Sequence, residues 1–180
     1  MKKQDPALTI SNPRLLCAIY FGLLSVVGTI LIDALLTSIG IEEIIPVFEA
    51  VLLGMVVSSC TGALFGEAIV HCEKPYKAKT FWIGFSMVIA SLPVFDLGLL
   101  LFMEAKNNQL FAIAKFHDMV YLYFVVLAYS YILFGILLAV ASGLAAMYLR
   151  GRLVYDILHT DARRRNRSKN KEEVSHKIHR

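Results

Sequence analysis

Four stretches of this chain are almost wholly apolar: roughly Leu15 to Leu36, Pro46 to Val70, Phe81 to Phe102 and Met119 to Leu149. Crossing the hydrocarbon core of a bilayer takes about 20 mostly apolar helical residues, so each run is long enough. A water-soluble bundle would need a polar face on every helix, and these runs have none. At 57% hydrophobic and 18% charged residues, with a mean hydropathy of +0.63, the chain leaves no room for a separate soluble domain. The expected fold is therefore all-α, a polytopic integral membrane protein with four transmembrane helices. A polar segment, residues 1–14, precedes a four-helix domain over 15–149. A basic tail, 150–180, reads as disordered after residue 160. The first run is too long for a signal-peptide core and no small-residue cleavage site follows it, so it is expected to stay as an anchor.

Local signals set the boundaries. Asn12-Pro13 reads as a helix start, Gly40 as a helix stop, and Pro46 suits the first turn of the second run. Phe81, Trp82 and Phe85 form an aromatic group of the kind found at a membrane interface. The loop from Glu104 to Asp118 carries its own apolar patch, Leu110, Phe111, Ile113 and Phe116, which suits the membrane surface. Met119 to Leu149 would rise about 46 Å as a straight helix, which predicts tilt or one end standing in water. Leu153, Val154, Ile157 and Leu158 share one helical face, which suggests a short interfacial helix at the start of the tail.

Basic residues set the orientation. The N-terminal segment, the loop His71 to Thr80 and the tail hold three, three and ten Lys or Arg, against Lys106 and Lys115 alone in the other two loops. Both termini are expected on the cytoplasmic side, and the short loops suit a bacterial inner membrane. With that orientation Asp33, Glu49 and Asp96 fall in the outer half of the membrane, from three different helices. An ionised acid in the bilayer centre costs about 3 kcal/mol on insertion scales, so such a group faces the bundle interior, pairs or takes up a proton. Asp33, Glu49 and Asp96 are the candidate proton or cation site. Asp33 and Glu49 also fit hydrated interfacial positions. Asp96 lies deeper and follows Pro93, whose missing amide frees a carbonyl one turn earlier and kinks the helix. Glu67, at the other side, reads as a salt-bridged interfacial acid.

Gly54, Ser58, Gly62 and Gly66 recur every fourth residue, a nearly bare helical stripe along which another backbone approaches closely. Gly135, Ala139 and Gly143 repeat the pattern in the fourth run. Similar depths predict that the second and fourth helices cross there; contact with another subunit is the competing expectation.

No nucleophile elbow, phosphate loop, zinc-protease or dinucleotide motif is present, so the chain reads as non-enzymatic, with no cofactor. Cys17, Cys60 and Cys72 have neither disulfide nor zinc spacing, and no metal is expected. The tail, with Arg163, Arg164, Arg165 and Arg167, suits anionic lipid headgroups or a cytosolic partner and not nucleic acid, since it lacks stacking aromatics. The leading expectation is a subunit or accessory factor of a larger membrane assembly, with the bilayer and other membrane proteins or itself as partners. The alternative is a small proton- or cation-coupled transporter or channel subunit built on the membrane carboxylates.

Overall fold

A computed structural model describes residue 10, residues 12–38, residue 40 and residues 46–73, 75–107 and 116–160. Helix α1 spans Pro13–Ser38, α2 spans Val47–Val70 and α3 spans Lys77–Asn107. Helix α4 opens as Phe116–Ser130 and passes a π-helical turn at Tyr131–Gly135. It resumes over Ile136–Tyr148, passes a second π-turn at Leu149–Leu153 and continues to Thr160. All four helices are long and apolar enough to cross a membrane. The start and stop signals act as expected at two points. Pro13, which lacks an amide to leave unbonded, is the first helical residue of α1. Gly40 takes the left-handed φ of +80°, and its amide bonds Thr37 O at 3.0 Å to close α1. Pro46 sits one position earlier than expected, as the residue capping α2 rather than within its first turn.

The chain packs as two antiparallel hairpins, α1 with α2 and α3 with α4, joined mainly through α2 against α3. The glycine stripes drive this packing, with partners that differ from the expected ones. On α2, a Cβ at Gly62 would lie 2.8 Å from Cys17 O, and one at Gly66 would lie 3.0 Å from Arg14 Cα. That stripe therefore meets α1, not α4. On α4, a Cβ at Gly143 would lie 3.0 Å from Phe81 O, and Gly84 of α3 would crowd Ala146 and Ser142 in return. Gly135 faces Leu92, Gly54 faces Thr29 and Phe95, and Ala139 is fully buried. A stripe specifies close approach but not the partner, and the short connections make sequence neighbours the helices that meet.

The core sits at the end of the bundle that holds the start of α1 and the end of α4. Cys17, Phe21, Ile69, Val70, Met87, Ala146, Leu149 and Val154 form it. Val154 is fully buried, so the segment expected as a separate interfacial helix is the continuous end of α4. From His117 to Thr160 that helix has 44 residues, a rise of about 66 Å. Large apolar side chains stand exposed on all four helices, with Leu64 77% and Ile132 75% exposed. The arginines at 163, 164, 165 and 167, the acidic loop residues Glu42 and Glu43, and Leu110, Phe111 and Ile113 lie outside the described residues.

Candidate functional site

Pro93 lies inside α3 and has no amide to give Ile89 O, one turn earlier. The structure fills that vacancy from the facing helix: Tyr131 Oη donates to Ile89 O at 2.6 Å. One turn further along α3, Tyr123 Oη donates to Pro93 O at 3.1 Å. Next comes Asp96, 1% exposed, whose Oδ1 accepts from Ser130 Oγ at 3.0 Å. Three hydroxyls of α4 thus bond three oxygens along one side of α3, a polar seam between otherwise apolar helices. Ser130 and Tyr131 stand where the first π-turn of α4 begins, and Gly135, which closes that turn, packs on Leu92. A π-turn inserts one extra residue into a helical repeat. Here it falls beside Pro93, where the otherwise continuous α3 lacks one backbone bond.

Among the described residues, Asp96 Oδ2 is buried with no hydrogen-bond partner. Leaving a buried acceptor unpaired costs about 1–3 kcal/mol, more for a charged group. Asp33 and Glu49 stay on the α1–α2 hairpin, half-buried, and neither bonds Asp96 among the described residues. The seam therefore gathers one of the three candidate carboxylates and adds Tyr123, Ser130 and Tyr131, which the sequence reading passed over as span residues. No group of three or more His, Cys, Asp or Glu among the described residues is placed to hold a metal ion.

Polar contacts also mark the opposite part of the molecule. Arg150, one of the ten basic residues counted in the tail, is fully buried. Its Nη2 and Nε donate to Cys72 O at 2.9 and 3.3 Å, and its guanidinium lies 4.8 Å from the Tyr76 ring centroid. It ties α4 to the α2–α3 connection. Glu67 pairs with Arg14 at 2.8 Å, both side chains being more than half exposed, rather than with the lysines of the loop. Around this pair a cavity of about 220 Å³ is lined by Asn12, Pro13, Arg14, Glu67 and His71. Tyr20 Oη donates to Ala145 O at 3.3 Å and links the two hairpins directly.

No family model, curated protein or solved structure matches this chain.

Proposed function

We propose that this chain is an integral protein of a bacterial inner membrane with both termini cytoplasmic. In this reading it acts without enzymatic chemistry, as a small proton- or cation-coupled transporter or channel subunit centred on Asp96. One observation carries it: a carboxylate 1% exposed, bonded through one oxygen only among the described residues, where the π-turn of α4 faces the Pro93 segment of α3. Ionisable groups at such depth are expensive, and they mark ion and proton paths in membrane proteins. The broad exposed apolar faces support lipid as the surrounding medium, and the distribution of lysine and arginine supports the orientation.

The small-residue stripes, one support for association beside the absent catalytic motifs and the polar tail, are filled within the chain at Gly62, Gly66 and Gly143. What still favours an accessory-subunit reading is the length of α4, whose end would stand beyond the membrane and present the basic tail to a partner or to anionic headgroups. Purified protein in liposomes, with imposed pH and cation gradients and a trapped indicator, separates the two. The wild type is expected to pass ions, and Asp96→Asn to lose at least tenfold in rate while eluting as the same species in detergent. Equal traces from the two proteins would sink the transport reading. Truncation after Thr160 is expected to leave the flux unchanged; it would remove co-purifying proteins only if the accessory role holds.

A further inference from the structure

We infer that the species bound at Asp96 is a proton and not a metal cation. The inference rests on the transport reading above and names the ion. A metal cation needs several oxygens and the seam offers few. Calcium takes six to eight oxygen ligands, and magnesium needs near-octahedral geometry. Monovalent cations in membrane sites are likewise held by sets of carbonyl or carboxylate oxygens. Two α3 carbonyls meet the seam, and each already accepts a tyrosine hydroxyl: Ile89 O, the one that Pro93 frees, from Tyr131, and Pro93 O from Tyr123. Asp96 Oδ1 accepts from Ser130. Asp96 Oδ2 is the acceptor left without a partner at the seam among the described residues. No group of three or more His, Cys, Asp or Glu gathers there among the described residues.

A proton needs one oxygen only. Binding forms an O–H bond on Oδ2 and turns the carboxylate into a neutral acid; release breaks that bond and returns the proton to water. No electron is exchanged and no further reactant is needed. The neutral form also suits the surroundings. Among the described residues, the titratable groups of α4 that bond α3 beside Asp96 are Tyr123 and Tyr131, and the Ser130 hydroxyl bonds the acid itself. From α2, Leu53 packs on Gly98 and Gly54 meets Phe95, both apolar contacts. No cationic side chain bonds the carboxylate among the described residues. The tyrosines act as plugs on the carbonyls, and Ser130 positions the acid by holding Oδ1 so that Oδ2 takes the proton.

The test is an infrared titration of the full-length protein in lipid nanodiscs, read beside the liposome flux. A carbonyl band of a protonated carboxyl group is expected to grow and fade with pH, to vanish in Asp96→Asn, and to ignore sodium, potassium and calcium. Ser130→Ala is expected to keep the band and shift its frequency, because the bond to Oδ1 is lost. If Asp96→Asn fails to fold, that variant's retained acid still assigns the band. A band that depends on any of these cations at fixed pH would overturn the inference, as would the absence of a titrating band assigned to Asp96. The two proposals fail differently. Flux that requires sodium keeps the transport reading and sinks the proton. A titrating Asp96 in a protein that passes no ion does the reverse.

Discussion

At Pro93, α3 loses the amide that would have bonded Ile89 O, and the Tyr131 hydroxyl stands in its place at 2.6 Å. The two residues are therefore coupled, and a double-mutant cycle measures the coupling. Tyr131→Phe alone leaves Ile89 O unpaired. Hydrogen bonds between helices within a bilayer average about 0.6 kcal/mol, with a maximum of about 1.7, and a loss in that range is expected on unfolding in detergent. Pro93→Ala restores a backbone donor for the same carbonyl, so Tyr131→Phe placed on Pro93→Ala is expected to cost less than half as much. Equal costs in both backgrounds would show that the tyrosine does not replace the missing amide. At this scale the sequence was legible in part. Pro93 announced a freed carbonyl and Asp96 an expensive acid, because both follow from covalent structure and position in the run. The hydroxyls that answer them were not legible. A serine or tyrosine inside an apolar run is ordinary until the register of the opposing helix is known, and a π-turn has no residue signature in YILFG that separates it from α-helix.

Among the elements, the four helices could be read because about 20 apolar residues are needed for each crossing and nothing else in the chain supplies such runs. Which helices meet could not be read. The stripe on α2 states that some backbone comes close, and α1 takes the place that the depth argument gave to α4. Substitutions at two glycines separate packing from helix propensity. At Gly62 an added methyl would lie 2.8 Å from Cys17 O, a backbone atom that moves only if α1 moves. Gly62→Ala is therefore expected to destabilise by about 1–3 kcal/mol, the usual range for overpacking. At Gly28, half-buried on α1, nothing lies within 4 Å of the same methyl. Gly28→Ala is expected to be neutral or to stabilise by up to about 1 kcal/mol, the difference in helix propensity. Thermal unfolding in one detergent reads both. A Gly62→Ala protein as stable as wild type would show that the α1–α2 contact is looser than this geometry.

For the molecule as a whole, the two hairpins are joined by α2 against α3 and by the Tyr20 bond to Ala145 O, and one buried residue of α4 adds a third tie. Arg150 reaches from α4 to Cys72 O and stacks on Tyr76, so the connection between the hairpins is fastened to the last helix. The sequence hid this because a basic residue at the end of an apolar run has a sufficient explanation in topology alone. The fully buried side chain has a second role, and Cys72 is a natural reporter of it. Cys17 is fully buried, and Cys60 faces outward from the middle of α2 toward the proposed lipid. Cys72 alone of the three lies in a connection. Removing the guanidinium takes away a donor pair and a cation–π contact, together worth about 1–3 kcal/mol. Arg150→Ala is accordingly expected to speed maleimide labelling of Cys72 by roughly tenfold, the factor that 1.4 kcal/mol represents. Lysine lacks the planar fork that gives two bonds and a stacking face at once, so Arg150→Lys is expected to label nearly as fast as Arg150→Ala. The same thiol reports orientation. In intact cells a membrane-impermeant maleimide is expected to miss Cys72, and in inverted vesicles to reach it, if the three-, three- and ten-residue basic clusters lie in the cytoplasm. Labelling from outside intact cells would reverse the orientation. Equal labelling of wild type and Arg150→Ala would leave the orientation standing and remove the clamp, so the two results stand independently on one cysteine.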